Sequence, residues 1–454
     1  VKLIVDKIVY PGRSLATGED GIVVFSDGAL PGEHIDVLVT KNKKTYKEAS
    51  LQSIDQPSPD RVVPRCPSFG ACGGCTFQHT TYAHQLHIKD TYVRELLLPW
   101  IAAIKPFIAS PEEWHYRNKM EFSFFDGRSP LSPGAPIKSA VSLGLHQRKE
   151  FNRYFPVPPC FICDSDFLPV IDEIVRFARA SGQGVYDKRS HQGFFRHLVM
   201  RKSKRKNQVL INLVTNIAPE LSPPYFETLL AALPPSVASV YWTQNGGISD
   251  AVNVDILTLL RGEPAIEELL TVRNRSYAFL ISPFSFFQTN TLGTEKLYDT
   301  VLSLLEPAST DSVLDLYCGT GTIGIVLAPF VQTVLGVEQV ESAVENAREN
   351  ARRNGVENIS FAAGSVEKWI KKEDIPPCNA IVVDPPRGGL SNKVIDFIVR
   401  CSPAKIVYVS CNPATLARDL TAMTARGFSV DCIVPIDMFP QTYHVEIVVS
   451  LRKT

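Results

Sequence analysis

The run Ser312-Val313-Leu314-Asp315-Leu316-Tyr317-Cys318-Gly319-Thr320-Gly321-Thr322-Ile323-Gly324 decides the fold. Its first six residues read as a buried strand, its glycines as a tight turn, and the residues after them as a helix. Glycines in such a turn let the backbone approach a ligand, and the helix start behind them presents free N–H groups. The next strand, Thr333-Val334-Leu335-Gly336-Val337-Glu338, ends in a carboxylate placed to accept hydrogen bonds from both hydroxyls of a ribose. Gly319-x-Gly321-x-x-Gly324 also fits the dinucleotide fingerprint. Alone, the turn is compatible with a nicotinamide enzyme, with a methyltransferase, and with a packing turn that binds nothing.

Outward from this turn, strands and helices alternate across 276–454. A polar amphipathic helix over 341–354 stops at Gly355. Ile381-Val382-Val383-Asp384, Ile406-Val407-Tyr408-Val409-Ser410 and the run from His444 to Leu451 are further apolar strands. Such alternation predicts a parallel, doubly wound α/β sheet, whose ligands bind at the strand C-termini. Two of those ends carry chemistry. Asp384-Pro385-Pro386-Arg387 follows one strand and Ser410-Cys411-Asn412-Pro413 another. Cys411 stands before a helix predicted to begin near Pro413, and a helix N-terminus favours a thiolate. The competing reading is a buried structural cysteine, like Cys378, Cys401 or Cys432. Glu446 lies among apolar residues near a strand start, which predicts a raised pKa; the alternative is a strand carboxylate facing solvent.

Towards the N-terminus, residues 1–58 hold short apolar runs punctuated by Gly12, Gly18, Gly21, Gly28 and Gly32, the pattern of a small barrel of the oligonucleotide-binding kind. Asp55 to Asp60 reads as a linker. Residues 59–275 mix helix and strand, with Pro/Ser/Gly-rich loops at 127–136 and 156–159. Cys66-x5-Cys72-x2-Cys75 sits in a glycine-rich turn and points to metal. With His79 it makes a tetrahedral zinc set; with a distant fourth cysteine it makes an iron–sulfur set. Two basic runs are candidate nucleic-acid contacts. Lys41 to Lys47 mixes charge with an aromatic, and 188–206 holds eight Lys or Arg and no acid.

Composition adds bounds. In 454 residues, hydrophobic side chains are 44% and charged ones 21%, as in a globular protein. Lys plus Arg equals Asp plus Glu at 47 each, so net charge gives no sign of nucleic acid. No apolar run reaches the ~18 residues of a membrane span, and the first residues lack a signal-peptide core. A cytoplasmic location is expected, with ten cysteines kept reduced, no membrane association and no obligate protein partner.

Residues 276–454 resemble the catalytic domain of the RNA uracil-C5 methyltransferases. The matching segments are Phe286-Phe287-Gln288-Thr289-Asn290, Asp315 to Gly321, Val337-Glu338, Asp384-Pro385-Pro386-Arg387, Val409-Ser410-Cys411-Asn412-Pro413 and His444-Val445-Glu446. The resemblance implies a Rossmann-like domain using S-adenosylmethionine. Gln288, Tyr317, Glu338 and Asp384 would contact that cofactor, and Thr322 and Ser365 would line its pocket. Ser365 departs from the Asn or Asp of many relatives. Cys411 would be the nucleophile and Glu446 the base. Phe284, Phe286 and Phe287 are candidates to stack on a flipped base or the cofactor, or else are core. Residues 1–58 resemble a TRAM barrel, and Tyr116-Arg117-Asn118-Lys119 matches a segment of the family's central α+β domain. In the branch acting on ribosomal RNA, the cysteine pattern ligates a [4Fe-4S] cluster, which implies Cys66, Cys72, Cys75 and Cys160 as ligands, with Cys163 as runner-up. The implied substrate is RNA, 23S rRNA first and tRNA second. The readings from other classes are an NAD-dependent oxidoreductase and a non-catalytic RNA-binding or ribosome-assembly protein.

Overall fold

Alternation of inward apolar and outward polar residues builds the first unit. The computed structural model describes residues 1–127, 141–148, 150–156, 160–248, 254–372 and 375–454. Of the two proline-rich loops named above, 128–136 and 157–159 lie outside these described residues. Strands β1 (Lys2–Val9), β2 (Arg13–Thr17), β3 (Val23–Ser26), β4 (His34–Asn42) and β5 (Tyr46–Gln56) close into a barrel in the order β1-β2-β3-β5-β4. Closure removes the open edges a small sheet would otherwise expose. Leu3, Val5, Ala16, Val24, Ile35 and Val37 fill the barrel. Ile8 and Leu30 instead pack into the core shared with the C-terminal sheet.

Helix α1 (Tyr82–Leu96), capped by Thr81, follows the cysteine segment. The central unit then forms a seven-stranded sheet in the order β12-β11-β10-β9-β6-β7-β8. Its elements in chain order are β6 (Lys119–Asp126), β7 (Val141–Gln147), β8 (Glu150–Pro156), α2 (Phe167–Ala180), β9 (Phe195–Ser203), β10 (Gln208–Thr215), α3 (Glu227–Ala232), β11 (Val237–Gln244) and β12 (Ile256–Gly262). The apolar face of α2, with Val170, Ile171 and Ile174, packs on this sheet. A hairpin of β13 (Ile266–Val272) and β14 (Arg275–Ile281) turns at Arg273 and Asn274, both with positive φ. Ile266, Leu270, Phe279 and Ile281 join the C-terminal core. That core thus begins on both sides of residue 275, where the sequence places its boundary.

The C-terminal elements are α4 (Thr291–Leu305), β15 (Ser312–Leu316), α5 (Thr322–Leu327), β16 (Thr333–Glu338), α6 (Glu341–Arg353), β17 (Ile359–Ala363), α7 (Val366–Trp369), β18 (Ala380–Val383), α8 (Asn392–Cys401), β19 (Lys405–Ser410), α9 (Pro413–Thr424), β20 (Phe428–Ile436) and β21 (Glu446–Lys453). The sheet order is β17-β16-β15-β18-β19-β21-β20. Its first five strands are parallel, while β21 runs antiparallel to both β19 and β20. The chain moves outward from β15 and returns to lay β18 against it. This is the switch point where open α/β sheets bind ligands.

Candidate active site

The glycine turn leaves β15 through Tyr317, a non-glycine residue at φ 64°. Gly319 and Gly321 follow at φ 55° and 76°. A side chain at Gly321 would place its Cβ 2.7 Å from the Phe361 ring, so this position requires glycine for room as well as for backbone. Glu338, ending β16 beside the turn, accepts the Gly319 N–H at 3.0 Å on one oxygen and the Val340 N–H at 2.8 Å on the other. Each oxygen keeps a lone pair for a further donor. Thr322 opens α5, and its hydroxyl pairs with the Tyr298 hydroxyl at 2.6 Å. Ser365 is the N-cap residue of α7, but its side chain makes no capping bond. The Tyr317 hydroxyl donates to Glu367 at 3.1 Å.

The segment before α4 closes the same region. Thr320 Oγ1 donates to the Phe286 carbonyl at 3.1 Å, and Asn118 Nδ2 to the buried Gln288 carbonyl at 3.1 Å. Phe286 is 61% exposed and lies over Gly319; Phe284 is 41% exposed. Phe287 is buried in the core, which removes it from the stacking candidates. One buried acid has no assigned role in the sequence reading. Asp315 is fully buried, and neither carboxyl oxygen makes a hydrogen bond. Burial first, then Asp384, pushes its pKa up to about 8. A lone acid inside an apolar strand was the available signal.

The chemical groups meet across three neighbouring strand ends. The β19–β21 register pairs Ser410 with Ile447, which sets Cys411 opposite Glu446. Asp384 leaves β18, the parallel neighbour of β19 on its other side. Glu446 is 5% exposed, and burial, then Asp384, pushes its pKa well up, the direction the sequence predicts. Burial pushes Asp384 up to about 7. The thiol departs from expectation. α9 does begin at Pro413, with Asn412 capping the Ala414 N–H at 3.1 Å, but Cys411 lies outside the cap. Burial, then Glu446 and Asp384, pushes the thiol up to about 11, while Arg387 pulls it down. Desolvation beside two carboxyls outweighs the helix end.

Arg387 faces the ring nitrogens of His444 at 3.4 and 3.5 Å. Its carbonyl accepts Asn412 Nδ2 at 3.1 Å. Burial, then Arg387, pulls His444 down to about 4, so the ring is neutral at physiological pH. Tyr443 packs on that ring at 4.1 Å, and Tyr10 of the barrel packs on Tyr443 at 5.7 Å.

The cysteine segment, 66–75, precedes α1. Among the described residues, no three His, Cys or acidic side chains converge as they would around a metal ion. Cys66, Cys72 and Cys75 each feel the Cys160 sulfur electrostatically. Cys163 is buried in the central core and donates its thiol to the Cys160 carbonyl at 3.2 Å. His79 is buried against Phe69 with neither ring nitrogen bonded.

The basic run 201–206 is not the open patch that the sequence suggests. Arg201 is buried and donates to the Pro283 carbonyl at 3.1 Å. Lys202 is buried on Asp166, Lys204 meets Glu112, Arg205 meets Glu295 at 2.9 Å, and Lys206 meets Glu267 at 3.3 Å. Buried Glu268 accepts the backbone N–H groups of Lys204 and Arg205. Arg201 and Lys202 are thus built into the fold, while Arg205 and Lys206 stay exposed beside their acids.

Residues 257–454 match the family described as tRNA (Uracil-5-)-methyltransferase. The chain is 40% identical to an uncharacterized RNA methyltransferase of Caldanaerobacter subterraneus subsp. tengcongensis over 94% of this chain and 93% of that protein. It is 34% identical to one from Clostridium tetani over 100% of this chain and 97% of that protein. The solved tRNA (uracil-54, C5)-methyltransferase of Pyrococcus abyssi, in complex with S-adenosyl-L-homocysteine, is 27% identical, with a TM-score of 0.77 over 99% of each chain. Likeness over whole chains sets aside the oxidoreductase and the non-catalytic readings. With its Rossmann-like sheet and N-terminal barrel, the chain belongs to the RNA uracil-C5 methyltransferases, enzymes that take their methyl group from S-adenosylmethionine.

Proposed function

We propose that this enzyme methylates C5 of a uridine in RNA through a covalent bond between Cys411 and C6. The observation that carries this reading is the placement of Cys411 opposite Glu446, with Asp384 on the adjacent strand end. Uracil C5 is a weak nucleophile. The Cys411 thiolate adds to C6, the C5–C6 double bond opens, and the ring becomes an enolate with carbanion character at C5. S-adenosylmethionine, when bound, supplies a methyl already activated on a sulfonium. Once C5 carries the methyl, Glu446 takes the remaining C5 proton, the double bond re-forms and the C6–S bond breaks. A carboxylate with a raised pKa is the stronger base for that step.

Gln288, Tyr317, Thr322, Glu338, Ser365 and Asp384 are proposed to hold the cofactor, supported by their position around the switch point and by the spare lone pairs of Glu338. Phe286, exposed over the glycine turn, is the better placed of the aromatics to stack on a ring. The barrel of residues 1–58 is proposed to grip RNA. Ten free cysteines fit action in the reducing cytoplasm.

Cys66, Cys72, Cys75 and Cys160 are proposed to ligate a [4Fe-4S] cluster. Each cysteine of such a cluster binds a different iron, so its sulfurs stand farther apart than those around one ion. That the first three thiols feel Cys160 supports this set, and the burial of Cys163 in the core argues for Cys160. No chemical step is assigned to the cluster; these four residues would tie the central unit together.

For substrate, 23S rRNA is the first reading, resting on the resemblance of barrel plus cysteines. A tRNA is the second, favoured by the Pyrococcus relative named for uracil 54 of tRNA. Labelled S-adenosylmethionine with separate rRNA and tRNA pools, followed by nucleoside mass spectrometry, decides between them. RNA bearing 5-fluorouridine should form a cofactor-dependent adduct at Cys411; absence of that adduct rejects the covalent route.

A further inference from the structure

The segment from Asp437 to His444 runs from β20 into Glu446, and its central residue is held from outside its own sheet. Gln441 has φ 69°, a conformation that a non-glycine residue keeps only when its surroundings over-determine it. Its N–H donates to Gln85 Oε1 at 2.9 Å, and its own Oε1 accepts Gln85 Nε2 at 2.9 Å. Its carbonyl accepts two backbone N–H groups, from Thr76 at 2.8 Å and Phe77 at 3.0 Å. Those two residues follow Cys75 directly. Gln85 and Gln441 are 1% and 2% exposed. Among the described residues, every hydrogen bond of Gln441 therefore goes to the cysteine segment or to α1. On the catalytic side, Tyr443 is tied to α1 through Tyr92, whose hydroxyl donates to its carbonyl at 2.5 Å. His444 then faces Arg387, and Val445 is fully buried before Glu446 begins β21.

We propose that Gln441 is a positioning residue for proton removal, a latch that transmits the placement of the cysteine segment and α1 to Glu446. The inference rests on the reading of Glu446 as the base. Burial leaves Glu446 no solvent route to correct its aim, so its reach to the C5 proton is set by where the strand begins. Small displacements of a catalytic group are costly in rate. The latch acts after methyl transfer. Weakening it leaves the Cys411–C6 bond made and the C5 proton in place, and the thiolate is not expelled.

The test uses the full-length enzyme with RNA substrate. Gln441→Ala removes the acceptor for Gln85 Nε2, and Gln85→Leu removes both side-chain bonds from the α1 side without touching the catalytic segment. Each is expected to slow turnover roughly ten- to a hundredfold, with cofactor affinity and RNA binding retained. A methylated RNA–protein adduct at Cys411 should accumulate, read by gel shift and peptide mass spectrometry. Gln441→Glu, which keeps an oxygen acceptor, should recover turnover, and the double variant should be no slower than the slower single. Turnover within about twofold of the parent in either single variant overturns the inference. So does a fall in turnover without adduct, or one matched by loss of cofactor affinity. Glu446→Gln is the reference. If it traps the methylated adduct and Gln441→Ala does not, only the latch is wrong; if Glu446→Gln turns over normally, the base assignment falls and the latch with it.

Discussion

The resting state of Cys411 is the most exposed point of the mechanism, because the sequence and the structure disagree about it. Burial, Glu446 and Asp384 push the thiol up to about 11, against an ordinary cysteine near 8.5. At pH 8 a thiol with that pKa is ionised in about one molecule in a thousand; an ordinary one is ionised in about one in four. Alkylation follows the thiolate, so the rate at Cys411 should rise about tenfold per pH unit, about a hundredfold from pH 7 to pH 9, with no plateau. The neighbours fix the sign of two further changes. Arg387 pulls the thiol down, so Arg387→Ala should move the curve to higher pH and slow alkylation at pH 9. Asp384 pushes it up, so Asp384→Asn should do the opposite. The assay is a timed iodoacetamide pulse on the apo enzyme across pH 7 to 10, read on the Cys411 peptide because nine other cysteines compete. A plateau below pH 9, or a shift to lower pH in Arg387→Ala, would refute the argument that burial and carboxyls dominate the helix end.

Asp315 sets a second pH dependence. Its folded pKa, about 8, lies above the unfolded value, so the folded chain holds a proton that the unfolded chain releases above about pH 4. Stability from this group should therefore fall as pH rises from about 4 to about 8. Asp315→Asn should stabilise the apo protein at pH 8 by up to about 5 kcal/mol and leave pH 4 nearly unchanged, measured by urea unfolding; an unaltered pH slope counts against it. The buried pair of Lys89 and Asp437, at 2.8 Å with both side chains fully buried, joins α1 to the catalytic segment. Lys89→Met should cost about 3–5 kcal/mol in chemical unfolding by stranding the acid, and adding Asp437→Leu should recover most of it; an equally unstable double variant would contradict this. Gly321→Ala should lower the melting temperature and cofactor affinity together. A left-handed backbone costs roughly 1–2 kcal/mol and the collision with Phe361 roughly 1–3 kcal/mol more; a variant that melts and binds like the parent would show that the turn has slack.

What is legible from the chain is what is local. The strand, turn and helix around Gly319, the carboxylate ending β16 and the cysteine ending β19 follow from periodicity and from the rule that ligands meet strand C-termini. Non-local facts are silent. Nothing in Tyr82 to Leu96 marks Lys89 as buried, since its partner Asp437 lies near the other end of the chain. Nothing at Cys411 announces Glu446, because their meeting depends on β21 turning back antiparallel to β19. The run 201–206 misleads for the same reason. It reads as an open cationic tip, yet the acids that neutralise it, Glu112, Asp166, Glu267 and Glu295, come from four separate places in the chain. A lysine or arginine is most readily available to a phosphate where the fold leaves it exposed and unpaired. By that criterion the basic run on the barrel survives better. Lys41 is paired with Glu48 and Lys47 with Asp20, but Lys43 and Lys44 are exposed at the β4–β5 turn and form no ion pair among the described residues. Charge reversal at Lys43 and Lys44 is therefore expected to flatten the salt dependence of RNA binding more than reversal at 204–206 does, as read by binding titrations at increasing salt.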